Sequence, residues 1–215
     1  MYIPEPFRPV DCEEVEAIIR QYSFGTLVSV ADDAPLATRV PFVLHPDERD
    51  QQRLWGHLAR ANPHARALRP DRLALAIFHG PDAYVSPSWY ADAPNVPTWN
   101  FITVHAYGHP RPLHRDDPRV RWILEQTVAQ HEARLPRPWS LDTVPNEYLA
   151  ELIPGVLAFE LQLTHVESQF KLNQNHSRLN RLGVIAALEH QSDSTAQQLA
   201  AIMRKRETTR KPPGR

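Results

Sequence analysis

A segment rich in proline and aromatic residues, between residues 84 and 100, limits the folds open to this chain. Its sequence, YVSPSWYADAPNVPTWN, has the period of neither a helix nor a strand, and each proline fixes a backbone angle. Trp89, Tyr90 and Trp99 lie within it, and large aromatic faces are normally buried or stacked. The segment therefore predicts a stiff loop that either supplies an aromatic wall for a planar ligand or a subunit interface, or only covers the core.

Regular elements are expected on both sides of this loop. Residues 24–30 and 35–44 are rich in strand formers and are separated by the turn ADDA, which predicts an antiparallel hairpin. Further strands are expected at 54–57, 73–79, 101–108 and 155–166. Helices are expected after the cap Asp11, over about ten residues after His57, from Asp117 to Arg134, and after Ser194, which has capping-box spacing to Gln197. This order predicts an α+β fold with an antiparallel barrel.

Composition sets the domain organisation. With 215 residues, of which 42% are apolar, the chain can bury one sizeable core without metal or disulfide support. We expect one domain over residues 1–188, a C-terminal helix over 189–206 and a basic, disordered tail over 207–215. A single cysteine, no secretory signal pattern and no long apolar run together predict a cytoplasmic protein.

Several short motifs carry a family resemblance. The segments MYIPEPF, GHLARAN at 56–62, YVSPSWY, VPTWNF and FKLNQN at 170–175 occur in this order along the chain. Together they resemble the PaiB-type FMN-binding negative transcriptional regulators. The resemblance implies an FMN-binding split β-barrel with peripheral helices, related to the pyridoxamine-phosphate oxidases. It also implies a homodimer with FMN near the subunit interface.

The first set of candidate flavin-binding residues lies on the expected strands before the aromatic loop. Arg39 is the kind of basic residue that approaches the flavin in related split barrels, and a solvent-facing arginine on an edge strand is the alternative. Val40 and Pro41 would lend backbone to the ring. In GHLARAN the candidates are His57, Leu58, Arg60 and Asn62, where donors at a helix start would bind phosphate. Related oxidases have a Ser-Arg-Lys type run here, whereas this chain has Ala59 before Arg60, so its phosphate affinity could be weaker.

The second set of candidates lies in and after the aromatic loop. Trp99 and Asn100 close the loop and are placed to line a pocket, one that the other subunit of a dimer could complete. Lys171 and Gln174 in FKLNQN bring a cation and an amide together, which suits a flavin edge or phosphate. Amides that only cap the following helix would give the same sequence pattern.

Charge bears on the regulatory role. A formal net charge of -1 gives no global attraction to nucleic acid, so DNA contact would depend on a local patch. The segment 204–215, RKRETTRKPPGR, is the best candidate patch, although the pattern favours a solvated, disordered C-terminus over a DNA contact. The expected function is therefore an FMN-binding negative regulator that forms a homodimer and has a DNA or regulatory protein partner. A flavin-dependent oxidoreductase and a haem-binding or haem-degrading split barrel are the alternatives.

Overall fold

The computed structural model describes residues 1–46 and 52–209. The helices of this part are α1 (Cys12–Gln21), α2 (Pro118–Glu132), α3 (Asn146–Leu152), α4 (Arg178–Glu189) and α5 (Ser194–Thr209). The strands are β1 (Phe24–Ala31), β2 (Ala34–Pro46), β3 (Gln52–Ala59), β4 (Ala74–Val85), β5 (Thr98–Pro112) and β6 (Val156–Lys171). Short 3₁₀ helices occupy Glu5–Phe7, Pro63–Ala67, Pro87–Trp89, Leu141–Thr143 and Ile153–Gly155. None of the helices in these residues is both long and apolar enough to cross a membrane.

The six strands of the described residues form one sheet in the order β1-β2-β3-β6-β5-β4, which closes into a barrel. The β1–β2, β1–β4, β2–β3 and β3–β6 pairs are antiparallel. The turn between β1 and β2 consists of Asp32 and Asp33, which have φ angles of 49° and 61°. Two successive left-handed residues are what a tight hairpin requires, and Asp tolerates that conformation. The structure confirms the expected hairpin and the α+β antiparallel class.

Contacts between Cα atoms divide the chain into two compact units. The first unit is Met1–Cys12, His79–Thr103 and Ser168–Arg215, and the second is Glu13–Phe78 and Val104–Glu167. In the second unit, the fully buried ring of Phe42 meets Phe78 and Phe159 edge-on, at centroid distances of 5.4 and 6.1 Å. A second cluster lies around α2, where Val120 and Ile123 pack with Trp55 and its neighbours. Strand residues of the second unit are thus buried both against one another and under α2.

Helices α4 and α5 are paired in the first unit. Their buried apolar residues are Val184, Ile185, Leu188, Ala196, Leu199, Ala200 and Met203. Arg181 on α4 and Glu207 on α5 form a buried ion pair, in which Arg181 Nη2 donates to Glu207 Oε2 at 3.1 Å. Gly183 lies against the aromatic loop, because a Cβ atom there would stand 2.4 Å from the carbonyl oxygen of Trp89. Only glycine permits this close approach.

Several expected boundaries were wrong. Instead of a ten-residue helix after His57, β3 continues to Ala59 and is followed by the five-residue 3₁₀ helix Pro63–Ala67. Proline has no backbone N–H and is tolerated in the first turn of a helix but not in its interior. The helical element therefore starts at Pro63 and not directly after His57. The strands β4, β5 and β6 extend beyond the expected ranges and include both ends of the aromatic loop. The first turn of α5 is capped by Asp193, whose carboxylate accepts from Thr195 N and Ala196 N, and not by Ser194.

The expected helix from Asp117 is confirmed, since Asp117 Oδ1 accepts from Arg119 N at 2.9 Å. Helix α5 passes the expected boundary at 206 and ends at Thr209. The rest of the expected tail, residues 210–215, lies outside the described residues.

Candidate functional site

The outer surface of strands β1, β2 and β3 brings several candidate residues together. Val40 is fully buried, and a Cβ atom at Gly56 would meet Phe159 and Val40, so these positions point inward. Successive side chains on a strand alternate between faces. Their neighbours Arg39, Pro41 and His57 therefore share the outward side. Phe24 lies on the same side, because it pairs with Pro41. We call Phe24, Arg39, Pro41 and His57 the outer β1–β3 face.

Arg39 is held in place on this face. Its guanidinium carbon lies 4.5 Å from the centroid of the Phe24 ring, and its Nη2 donates to the Phe24 carbonyl oxygen. Both side chains are nevertheless exposed, Phe24 at 52%. The stacking fixes a flat cationic group while its remaining N–H donors stay accessible. A guanidinium that is already ordered loses less entropy when it binds an anion.

His57 supplies a polar atom that lacks a protein partner. Its Nδ1 atom is buried and, among the described residues, makes no hydrogen bond. Burial lowers the pKa of His57, so the ring is neutral at physiological pH. A buried polar atom without a partner is unusual in a folded protein. A ligand group that hydrogen-bonds the imidazole would remove this cost.

Arg60 and Asn62 are fixed immediately after β3. Arg60 Nε donates to Pro154 O at 2.9 Å and its Nη2 to Val156 O at 2.8 Å, which ties the side chain to the start of β6. Asn62 Oδ1 accepts from His64 N at 2.9 Å and caps the Pro63–Ala67 turn. The helix start expected here is wrong, since the turn has five residues and begins with a proline, while the role of this segment in phosphate binding stays a prediction. Phosphate donors from this segment would have to be side chains.

Two candidates point away from any outer ligand. Val40 is fully buried and Leu58 is 6% exposed, so their side chains belong to the core. Only their backbone atoms could contact a flavin, which for Val40 is the role that the resemblance implies.

A buried histidine that sequence reasoning missed lies next to this segment. His64 is 2% exposed, and its Nε2 and Nδ1 atoms lie 2.7 Å from Ser29 Oγ and 2.9 Å from Thr38 Oγ1. It therefore clamps the Pro63–Ala67 turn onto β1 and β2. Nothing in the local sequence distinguishes it from an ordinary packing residue.

In the first unit, the candidates of the aromatic loop separate into exposed and buried residues. Trp99 is 54% exposed and lies edge-on to Tyr84, which is 47% exposed, with ring centroids 6.0 Å apart. Asn100 is fully buried, and its Nδ2 donates to Met203 Sδ at 3.6 Å. Trp99 and Tyr84 form an exposed aromatic pair, whereas Asn100 faces the interior of the unit.

The residues of FKLNQN are engaged mainly in local contacts. Lys171 Nζ donates to Thr98 Oγ1 at 2.6 Å. Gln174 Oε1 accepts from Leu172 N at 2.7 Å and its amide donates to the Phe170 carbonyl oxygen, so this side chain braces the turn. That geometry favours the capping interpretation of Gln174 over contact with a ligand.

The aromatic loop is fastened to α4 by residues that sequence reasoning did not select. Asn180 Oδ1 accepts from Ala91 N at 2.8 Å, and its Nδ2 donates to Asp92 Oδ1 at 2.7 Å. The hydrogen bond from Asn180 to the Asp92 carboxylate lowers the pKa of Asp92, and a hydrogen bond from Asn95 lowers it further. Tyr90 stacks on His176 at 4.8 Å and accepts from Asn173 Nδ2 at 2.8 Å. The loop is thus stiff, as its prolines predict, and side-chain bonds contribute to that stiffness.

Solved structures with similar folds include flavoproteins. The FAD and haem binding protein from Mycobacterium smegmatis matches with a TM-score of 0.55 and 15% identity, covering 76% of this chain and 72% of that one. The flavocytochrome Anf3 from Azotobacter vinelandii matches with a TM-score of 0.51 and 17% identity, covering 75% and 68%. This chain therefore shares its fold with these two proteins.

Sequence comparison assigns the family. Residues 1–165 match the family described as "Putative FMN-binding domain". The chain is also 31% identical, over 94% of its length and 96% of the relative, to the "Protease synthase and sporulation protein PAI 2" of Bacillus subtilis (strain 168). The chain belongs to this FMN-binding family, and FMN is the cofactor that membership assigns to it.

The outer β1–β3 face fits FMN chemically. The isoalloxazine ring needs flat apolar walls and a few polar contacts at its edge, while the phosphate needs cationic forks. Phe24 and Pro41 offer the apolar surface, and Arg39 offers a fixed fork. The unpartnered Nδ1 atom of the half-buried His57 offers a polar contact on the same face.

Proposed function

We propose that this chain is an FMN-binding negative transcriptional regulator of the PaiB type, built as a split β-barrel that works as a cytoplasmic homodimer. The observation that carries the flavin part is the outer β1–β3 face, with Arg39 stacked on Phe24 and the buried, unpartnered Nδ1 atom of His57. The regulatory part is supported by the family and by the name of the Bacillus subtilis relative, which refers to protease synthesis and sporulation.

In this proposal the residues of the chain bind and orient the cofactor. Phe24 and Pro41 form the apolar wall, and Arg39 supplies a cation whose position is set before binding. His57, neutral because of its burial, accepts or donates one hydrogen bond without adding charge. Arg60 and the amide nitrogen of Asn62 supply further donors at the end of β3. Bound FMN would contribute a redox-active ring, whose oxidation state could alter a subunit interface.

The exposed pair Tyr84 and Trp99 is the proposed dimer contact. Aromatic residues are enriched in the cores of subunit interfaces, and this pair lies on the adjoining ends of β4 and β5, whose connecting loop is fastened to α4. A preordered aromatic surface loses little entropy on association.

The proposed contact with DNA or a regulatory protein falls at the C-terminal end of α5. Two cations of the expected basic patch are already engaged, because Arg204 binds Glu189 with Nη2–Oε2 at 2.8 Å and Arg206 lies over Phe170. Lys205 is exposed on the same helix. The remaining cations of that patch, in residues 210–215, lie outside the described residues.

Flavin titration tests the binding part of the proposal. We expect the flavin-free protein to quench FMN fluorescence and to bind riboflavin, which lacks the phosphate, about tenfold or more weakly, a loss of about 1.4 kcal/mol. Arg39→Gln should weaken FMN by a similar factor, whereas Arg137→Gln, which removes an exposed charge elsewhere, should not. If the wild type binds FMN and riboflavin equally well, and Arg39→Gln binds both as tightly as the wild type, the outer β1–β3 face is not the flavin site.

A second set of measurements tests the regulatory role against the two alternatives. A regulator should bind flavin, show no steady oxidation of a nicotinamide donor, and retain a specific DNA fragment or protein partner that a chain truncated after Glu207 releases. Sustained turnover across a panel of donors would assign the chain to the oxidoreductases. A Soret band that His57→Ala shifts would assign it to the haem-binding barrels.

A further inference from the structure

A cavity with a basic rim lies at the end of the β1–β2 hairpin, within the second unit. Its volume is about 530 Å³, and it opens between the hairpin and the segment of residues 63–72. Val30, Leu36 and Ala67 contribute apolar surface to its walls. Arg66, Arg69 and Arg72 line the same cavity, so apolar surface and guanidinium groups meet there.

The charges at this cavity do not balance. Arg69 is paired with Asp71, with Nε–Oδ1 and Nη2–Oδ2 distances of 3.0 Å. This pairing, with a smaller contribution from Arg72, lowers the pKa of Asp71. Arg66 forms no ion pair with any residue that the structure describes. Asp32 is the sole carboxylate among the described residues that line the cavity, so a net positive charge faces its interior.

The element that carries Arg66 is held rigidly. His64, two residues earlier, is buried and bonded to Ser29 and Thr38, and Asn62 caps the same turn. Flexible surface arginines lose rotamer entropy when they bind an anion. Because the backbone of this turn is anchored to β1 and β2, part of that ordering is present before a ligand arrives.

We propose that this cavity binds a small organic phosphate, with the phosphate held by Arg66 and Arg72 and the apolar body against Val30 and Leu36. Arginine forks match the geometry of phosphate oxygens and bind them with charge-assisted hydrogen bonds. The volume falls within the range of about 300–1,000 Å³ that is typical of small-molecule sites. A DNA backbone would need the cations but not an apolar-walled cavity, so a small ligand fits these features better.

Calorimetric titration of the full chain, saturated with FMN, tests this inference with adenosine 5′-monophosphate as the probe and adenosine as its phosphate-free match. We expect binding of the monophosphate and about tenfold or weaker binding of adenosine. Arg66→Gln and Arg72→Gln should each reduce monophosphate affinity about tenfold, while Arg137→Gln leaves it unchanged. Ala34→Tyr, a substitution at an exposed position that lines the cavity, should block binding by occupying the space.

Three outcomes would overturn the inference. Equal affinity for adenosine and its monophosphate would remove the role of the arginines. Weakening of FMN binding, rather than monophosphate binding, in the Arg66 and Arg72 variants would assign these residues to the flavin. Loss of duplex DNA binding in the same variants, without monophosphate binding in the wild type, would assign them to a nucleic-acid surface. Repeating the monophosphate titration without FMN separates the two proposals. Monophosphate binding that persists without FMN supports this cavity even if the flavin proposal fails, whereas its absence under both conditions refutes the cavity alone.

Discussion

The histidine clamp under the β1–β2 hairpin allows a sharp prediction for the substitution His64→Leu. Leucine occupies a similar volume but cannot bond the hydroxyl groups of Ser29 and Thr38. Each hydrogen bond contributes about 1 kcal/mol net, and a buried polar group that loses its partner costs about 1–3 kcal/mol. Because Ser29 is 3% exposed, water cannot readily replace the lost bond. We expect His64→Leu to lower the free energy of unfolding by about 2–4 kcal/mol.

Urea unfolding followed by tryptophan fluorescence measures this loss. The double variant Ser29→Ala/His64→Leu removes the orphaned hydroxyl along with the ring, so it should be less destabilised than the sum of the two single variants. A loss below about 0.5 kcal/mol for His64→Leu, or strict additivity in the double variant, would refute the clamp.

The same clamp predicts a pH dependence. Burial lowers the pKa of His64 below its ordinary value of 6.5, so the folded state favours the neutral ring. The stabilisation is therefore complete above the unfolded pKa and declines as the pH falls toward the lowered folded value. As the pH falls from 7 to 5.5 we expect the wild type to lose stability through this residue, because the unfolded chain binds a proton there before the folded chain does. His57, whose pKa is also lowered by burial, adds to the slope in the same direction. His64→Leu should make the stability less dependent on pH over this range, and an unchanged slope would contradict the assignment.

Two further substitutions test the first unit by the same unfolding assay. Glu207→Gln should cost about 3–5 kcal/mol because it leaves the Arg181 charge buried without its partner, and adding Arg181→Met should restore much of the loss. If the single and double variants are equally unstable, the ion pair is not the cause. Gly183→Ala should destabilise by about 1–3 kcal/mol, since its Cβ would stand 2.4 Å from a backbone oxygen. Helix propensity alone predicts the opposite sign, a gain in stability of about 1 kcal/mol. A stabilised Gly183→Ala variant would therefore refute the close contact between Gly183 and the loop.

Local pattern was sufficient for those parts of the fold whose signals are local. The β1–β2 hairpin follows from two strand-forming runs around a pair of aspartates, and the start of α2 follows from a capping aspartate before proline. The ten-residue helix expected after β3 was wrong, because the strand runs on to Ala59 and Pro63 starts a separate 3₁₀ helix. The ends of β4, β5 and β6 were set too short, because strand pairing can continue into proline-rich and polar sequence when a neighbouring strand supplies partners.

The candidate site shows what sequence motifs cannot predict about side-chain orientation. The motif segments were located from the sequence, but a motif cannot tell which side chains point outward until the register of the strands is known. That register places Arg39 and His57 outward and Val40 inward. Contacts between residues far apart in the sequence are also invisible in a motif. Asn180, for example, fastens a loop that lies 88 residues away in the chain. The unpartnered Nδ1 atom of His57 is likewise a property of the packed state. It follows that the unsatisfied atoms of an outward-facing surface, rather than the motif letters alone, should guide the choice of residues to mutate.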